Sequence, residues 1–171
     1  MGKYSVDVNW KLSQSTFNDE YLTSIYTGIV NISGKDVSLF QFTTNQSSSI
    51  FRLSVKFKSE CSIGYPFEDV IQNTSVRVSS FKFSKKRSSR SNKENYDHSI
   101  LHVDQFHVLS NFQRKGYGAK VMALIFVWTK LTQPLIKKCV VIAPSSIGRP
   151  FYMALGAKRQ ETSSNLEFDI Y

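Results

Sequence analysis

Alternating hydrophobic and polar residues mark several stretches in the first half of the chain, and this pattern is typical of half-buried β-strands. The clearest stretch is Ile50–Lys58, in which Phe51, Leu53, Val55 and Phe57 share one face. The same pattern predicts strands over residues 4–12, 36–43 and 75–83, with a polar turn at residues 45–49. We therefore expect an antiparallel meander in this half of the chain.

Residues 16–30 fit two different structures. Asp19 and Glu20 favour the first turn of a helix, and we predict a helix over this range. The β-branched residues Ile25 and Ile29 favour a strand instead. A strand is therefore the alternative.

The second half contains longer hydrophobic runs. A strand is predicted from Ile100 to the region of Phe106, and the apolar run at residues 121–131 predicts a buried helix that ends before Pro134. A strand at residues 137–143, a short helix from Pro150 to Gly156 and a hairpin of residues 157–161 with 166–171 follow. This order predicts an α+β or α/β fold, in which helices lie on the faces of a sheet.

The composition is that of one domain. A chain of 171 residues can form a substantial core without disulfides or metals. Its two cysteines, Cys61 and Cys139, make neither a disulfide framework nor a metal cluster, so we expect a reducing compartment. The sequence shows no signal-peptide pattern and no apolar run long enough to span a bilayer. We expect a soluble intracellular protein, cytoplasmic or nuclear, without a membrane partner.

The charge is strongly positive, with 22 Lys and Arg against 13 Asp and Glu, a formal net charge of +9. This balance favours anionic partners. The basic residues cluster at residues 85–93, within a polar segment, residues 85–97, that we predict to be an exposed loop. This segment suits a solvated loop, a nuclear-localisation or nucleic-acid patch, or a site that attracts an acidic substrate.

A glycine-containing turn, Gln-Arg-Lys-Gly-Tyr-Gly at residues 113–118, lies between the predicted strand and the long helix. Gly116 and Gly118 permit a tight turn whose backbone can approach a ligand closely. The unpaired amides and the dipole at the start of the helix favour an anion, above all a pyrophosphate. A plain turn is the alternative, since neither the Rossmann nor the P-loop pattern is present.

The run from Phe106 to Lys120 resembles the acetyl-CoA loop of the GNAT superfamily of N-acetyltransferases, whose motif is Gln/Arg-x-x-Gly-x-Gly/Ala after a central strand. Gln113, Gly116 and Gly118 occupy the motif positions. Residues 150–157 are similar to the family's Phe-Tyr-x-x-Leu-Gly-Phe segment, with alanine at the last position. The resemblance covers residues 100–171 and implies a mixed, mostly antiparallel sheet flanked by helices. The two early helices usual in the family are not evident.

The resemblance implies that acetyl-CoA is the co-substrate and that this chain binds it largely through backbone amides. Amides of residues 113–119 would bind the pyrophosphate, to which Arg114 and Lys115 could add positive charge. Amides of residues 106–108 would receive the pantetheine and polarise the thioester carbonyl. Ser145 stands where many members place an asparagine that contacts CoA. The implied binding residues are Phe106, His107, Val108, Gln113, Arg114, Lys115, Gly116, Tyr117, Gly118, Ala119 and Ser145.

The resemblance also implies catalytic roles. Tyr152 occupies the position of the family's proton donor to the CoA thiolate, and a phenol is protonated at neutral pH. His102 lies four residues before Phe106, where histone-type members carry a glutamate base, and Asp104 could orient it or act instead. An aromatic residue packed under a helix and a histidine bonded at a strand end are the alternatives for Tyr152 and His102.

The sequence therefore predicts an acetyl-CoA-dependent N-acetyltransferase. The loop is closest in spelling to histone and protein-lysine acetyltransferases, so a protein lysine or N-terminal amine is the expected acceptor. Residues 143–145 lack the acidic residues that type B histone enzymes carry after the next strand. The alternative is a non-catalytic acyl-CoA-binding or nucleic-acid-binding protein on the same fold, using the basic loop. No metal is expected.

Overall fold

The computed structural model describes residues 10–18, 22–32, 34–58, 66–82, 96–161 and 163–170. The start of the first predicted strand, Cys61 and most of the predicted basic loop lie outside these residues. The described strands belong to one sheet. Within the same residues, no group of His, Cys, Asp and Glu side chains is placed to hold a metal ion.

The first half is an antiparallel meander, as the alternating pattern predicts. Its strands are β1 (Trp10–Asn18), β2 (Thr23–Ile32), β3 (Lys35–Ser47), β4 (Ile50–Lys58), β5 (Phe67–Asp69) and β6 (Thr74–Lys82). Each of β1, β2 and β3 pairs with the next strand in the chain. β4 pairs with β6 as well as with the short β5. The predicted bounds of β4 are confirmed.

The helix predicted over residues 16–30 is wrong, because β2 forms a strand there. Tyr26 is buried opposite Phe42, with ring centroids 6.1 Å apart, and Gly28 is paired with Phe40. These tertiary contacts, together with the β-branched residues, override the polar residues that suit a helix start. The turn between β3 and β4 is also shorter than predicted, because both strands continue to Ser47 and Ile50.

The second half follows the predicted order. It contains β7 (Tyr96–Gln105), a 3-10 turn (Ser110–Phe112), α1 (Tyr117–Thr132), β8 (Ile136–Val141), α2 (Gly148–Ala154), β9 (Lys158–Arg159) and β10 (Leu166–Asp169). β7 and β8 are parallel neighbours joined by α1, whereas β6 and β10 flank them as antiparallel strands. The predicted terminal hairpin is confirmed by the pairing of β9 with β10. None of the described helices is long and apolar enough to cross a membrane.

The sheet has a core face and a polar face. Helix α1 covers the core face, where Trp128 contacts Phe42 and Phe51 at ring-centroid distances of 5.9 and 5.0 Å. Phe126 packs on Phe168 of β10 in the same layer. The polar face is defined by the alternate residues of the same strands, which are Arg52, Lys56, Arg77, His102, Asp104, Lys138 and Glu167.

Candidate active site

The parallel strands β7 and β8 separate at one end of the sheet. The Val103 carbonyl accepts a hydrogen bond from the Ile142 amide at 3.1 Å. Beyond this bond, the β7 chain turns towards residues 70–74, and the Ala143 amide on the other side donates to Asn165 Oδ1 at 2.8 Å. A gap therefore opens between the two chains, directly before the glycine turn.

A β-bulge at Asp104 accompanies this separation. Ser75 is paired with Gln105 and the adjacent Val76 with Val103, so Asp104 is the extra residue on β7. A bulge bends its strand and redirects side chains, and bulges are common beside active sites. Here the bulge precedes the segment whose amides, as the family resemblance implies, would meet a ligand.

Two amides of that segment point into the gap. The His107 amide donates to Thr74 Oγ1 at 3.3 Å, and the His107 carbonyl accepts from the Gln72 amide at 3.0 Å. Successive amides of an extended chain point to opposite sides. The amides of Phe106 and Val108 therefore face away from Thr74 and towards the gap.

The start of α1 borders the same gap. Gly116 precedes the helix with φ +85°, and no side chain caps the helix start. The Lys120 amide donates to the Gly116 carbonyl at 3.3 Å, which leaves the amides of residues 117–119 without intrahelical acceptors. With no acidic residue in its first turn, this helix start can accept an anion.

The side chains of the glycine turn differ in what they contact. Gln113 Nε2 donates to the Val108 carbonyl at 2.8 Å, so this side chain ties the turn back to the strand. Arg114 has φ +61° and is exposed, as is Lys115. Arg114 and Lys115 thus precede the helix start with exposed side chains, while Gln113 is occupied with the backbone.

Helix α2 packs against the start of α1. A Cβ atom on Gly118 would lie 3.0 Å from the Phe151 ring, and Phe151 stacks on Phe106 with centroids 6.0 Å apart. Gly118 therefore permits close packing of these helices. Ser145 Oγ accepts from the Gly148 amide at 3.0 Å, so this hydroxyl supports the turn into α2.

Tyr152 lies on the core-face side of the gap. It is 6% exposed and its ring lies 6.4 Å from Phe106 and 6.4 Å from Phe168. Burial raises the pKa of the Tyr152 phenol, and the nearby Cys139 thiol raises it further. The phenol is therefore protonated at neutral pH, as a proton donor must be.

His102 and Asp104 lie on the polar face, opposite Tyr152. His102 Nε2 is 2.7 Å from Ser79 Oγ, and its Nδ1 is buried without a partner among the described residues. Burial lowers the pKa of His102, the Arg77 guanidinium lowers it further, and Asp104 partly opposes both. The imidazole is therefore neutral at pH 7 and able to accept a proton.

Asp104 is bonded to Arg77 and not to His102. Arg77 Nε and Nη2 donate to its two carboxylate oxygens at 3.2 and 3.3 Å. Ser79, rather than Asp104, therefore holds His102 in place. Neither Ser79 nor Arg77 is marked by any motif, because both reach the site through strand pairing.

A cleft of about 730 Å³ opens at this end of the sheet. Its walls include Arg52 from β4, Ser75 from β6, Asp104 from β7 and Ile142 after β8. Asn73, in the turn before β6, also lines it. Of these residues, only Asp104 is a site candidate from the sequence, because the others are distant in sequence and converge through the register of the strands.

Comparison with solved structures finds proteins of similar fold. The crystal structure of a KacTA–DNA complex is similar over 73% of this chain and 70% of that chain, with 15% identity and a TM-score of 0.51. AtaTR bound with acetyl-CoA is similar over 86% and 70% of the two chains, with 17% identity and a TM-score of 0.43. AtaT complexed with acetyl-methionyl-tRNAfMet gives 86% and 71%, 16% identity and a TM-score of 0.42. No family model and no curated protein matches the sequence.

The likeness to the KacTA–DNA structure concerns the fold. The described chain has the mixed, mostly antiparallel sheet with helices that defines a GNAT-like α+β fold. The predicted fold class is therefore confirmed.

Proposed function

We propose that this protein is an acetyl-CoA-dependent N-acetyltransferase that acts on a primary amine. The observation that carries the proposal is the gap between β7 and β8, which is bordered by the amides of Phe106 and Val108 and by the uncapped start of α1. Gly116 and Gly118, which fill motif positions of the resemblance to the GNAT acetyl-CoA loop, lie at this helix start and support the proposal. A protein lysine or N-terminal amine, the acceptor expected from the sequence, is the first acceptor class to test.

The start of α1 suits the pyrophosphate. Three amides without intrahelical acceptors and the positive end of the helix dipole face an anion bound there. Arg114 and Lys115 add positive charge from exposed positions. Gly116 has φ +85°, which gives the turn its shape. The space beside it is open, because no atom beyond its neighbours in the chain lies within 4 Å of a Cβ built there.

The Phe106 and Val108 amides suit the thioester. As the amine nitrogen bonds to the acetyl carbon, the carbonyl oxygen gains negative charge that these amides would stabilise. When the carbon–sulfur bond breaks, its electron pair remains on sulfur, and Tyr152 donates the proton that forms the CoA thiol. The phenolate then recovers a proton from solvent. The amine loses its proton to His102 or Asp104, directly or through water.

The proposal is tested by calorimetric titration with acetyl-CoA. Wild-type protein is expected to bind, and Gly116→Glu is expected to abolish binding because its carboxylate would occupy the anion site. Gly34→Glu is the matched control, since Gly34 has φ +83° and no atom within 4 Å of a Cβ built there, and lies in the β2–β3 turn.

Equal binding by Gly116→Glu and wild type would contradict the loop assignment, and no binding by wild type would contradict the cofactor. A parallel titration with nucleic acid tests the alternative function. Binding that weakens steeply with salt, in the absence of acetyl-CoA binding, would favour that alternative.

A further inference from the structure

Several cations of the described polar face have a partner. Lys138 Nζ lies 2.8 Å from Glu167, Arg77 Nε 3.2 Å from Asp104 and Lys56 Nζ 3.9 Å from Asp69. Lys58 Nζ lies 4.8 Å from the centroid of the Phe67 ring. Arg52 has no acidic partner in the part of the chain that the structure describes. Its guanidinium is therefore available to a ligand.

Arg52 lies in the cleft beside the gap. It is exposed on β4, directly opposite Ser75 of β6. Asn73 and Ser75 line the same cleft and add an amide and a hydroxyl. A guanidinium with neighbouring amide and hydroxyl groups suits a carboxylate or a phosphate.

The carboxylate of the cleft is already neutralised. Asp104 forms two hydrogen bonds to Arg77, so its charge is balanced within the sheet. Arg52 then leaves the cleft with a net positive charge. A substrate that carries only an ammonium group would be repelled by this positive charge. The described wall of the cleft offers it no unpaired carboxylate.

We propose that the cleft selects an acceptor amine that also carries an anionic group, a carboxylate or a phosphate, and that Arg52 binds this group. The proposal rests on the proposed acetyl transfer and narrows its substrate class. Arg52 is a specificity-determining residue in this scheme, and it does not take part in the chemical step. A lysine side chain in a neutral or basic peptide is then a poor acceptor.

The test measures acetylation by CoA thiol release with two pairs of amines. β-Alanine and β-alaninamide differ by the charge of a carboxylate, and 2-aminoethyl phosphate and ethanolamine differ by a phosphate. Wild-type protein is expected to show at least about tenfold higher kcat/KM for the member of one pair that carries the anionic group. Hydrogen bonds to a charged group typically contribute this much binding free energy. The pair that shows the preference identifies the anion.

Two variants and a control separate the role of Arg52 from general charge. Arg52→Gln is expected to reduce the preference to about onefold by lowering kcat/KM for the member with the anionic group. Arg52→Lys, which keeps the positive charge, is expected to retain part of the preference. Lys56→Gln, on the same face of β4 but outside the cleft lining, is expected to change nothing. An equal effect of Arg52→Gln on both members of a pair would overturn the proposal.

A binding measurement keeps the test independent of turnover. NMR titration with 2-aminoethyl phosphate and β-alanine at millimolar concentration is expected to shift the Asn73 and Ser75 signals in wild type but not in Arg52→Gln. No shift, or the same shift in the variant, would overturn the anion site. Failure of acetyl-CoA to bind in calorimetry would instead overturn the proposed function, so the two failures are distinct.

Discussion

The two motif glycines, Gly116 and Gly118, meet different physical requirements. Gly116 has a positive φ and open space around it, whereas Gly118 lies against the Phe151 ring. The sequence predicts a tight turn with close backbone approach from both residues. It does not reveal that the second glycine serves packing between helices, because Phe151 is distant along the chain.

Replacement of Tyr152 by phenylalanine tests the proposed proton donor. We expect Tyr152→Phe to lower kcat about a hundredfold, because the thiolate would depart without a general acid. Binding of acetyl-CoA should be nearly unchanged, since the ring is retained. Steady-state kinetics and calorimetry provide the measurements. Tyr26→Phe, at a buried tyrosine on β2, is the control. A change of less than about threefold in kcat would remove the role of Tyr152 as general acid.

His102 should make stability depend on pH. Because burial lowers its pKa below the unfolded value, the unfolded chain binds more protons than the folded chain at mildly acidic pH. The free energy of unfolding therefore keeps its full value above the pKa of His102 in the unfolded chain, about 6.5. It decreases as the pH falls from there towards the lower pKa of His102 in the folded chain, by at most about 1.4 kcal/mol per pH unit. Urea unfolding of wild type and His102→Gln across this range is the measurement.

The variant is expected to show a flatter pH profile below about pH 6.5. His107→Gln, at an exposed histidine, serves as the control. An unchanged profile in His102→Gln would show that other groups produce the acid sensitivity.

At the scale of elements, β2 shows how pairing decides a segment with mixed preferences. Asp19 and Glu20, which precede β2 in the sequence, suit a helix start. Tyr26 and Gly28 nevertheless lie on the core face of a strand and pair with Phe42 and Phe40. The Phe40 ring occupies the space above Gly28, since a Cβ built there would lie 2.0 Å from Cε1 of that ring. The strand is therefore specified by its neighbour.

Substitution of Gly28 tests this packing. Gly28→Ala is expected to destabilise the protein by about 1–3 kcal/mol, because the Phe40 ring must leave its position in a close-packed core. Urea or guanidinium unfolding gives the free energy of unfolding. The double variant Gly28→Ala with Phe40→Leu should recover part of the loss, since the two positions are in contact. Strictly additive effects would contradict the proposed contact.

At the scale of the whole molecule, the gap lies between the sheet and the start of α1, and the hydrophobic core fixes the position of both. α1 packs on the sheet through Trp128 and Phe126, and this packing places its first turn beside the β7–β8 gap. A ligand bound as proposed would contact the strand and both helices at once. Its binding should therefore stabilise the whole fold.

Thermal unfolding measures this effect. Acetyl-CoA at a hundred times its Kd is expected to raise the free energy of unfolding by about 2.7 kcal/mol and to raise Tm accordingly. S-acetyl-pantetheine, which lacks the pyrophosphate, should stabilise much less at the same concentration because the amides at the start of α1 would have no ligand. Equal stabilisation by both compounds would contradict pyrophosphate binding by the helix start.

The sequence by itself determined the features that depend on local order. Alternation predicted β4 and much of β3 and β6, the apolar run predicted α1, and the glycine turn between strand and helix predicted the helix start that borders the gap. These features are legible because strand and helix periodicities and turn preferences act over a few neighbouring residues.

Only the tertiary structure decided how distant residues meet. The register of β4, β6 and β7 brings Arg52, Ser75 and Asp104 to one cleft, pairs Arg77 with Asp104 and places Ser79 on His102. A shift of one residue in that register would turn these side chains to the other face. Register depends on pairing between strands far apart in sequence. The partners of the catalytic candidates and the position of Arg52 in the cleft therefore emerge only from the folded sheet.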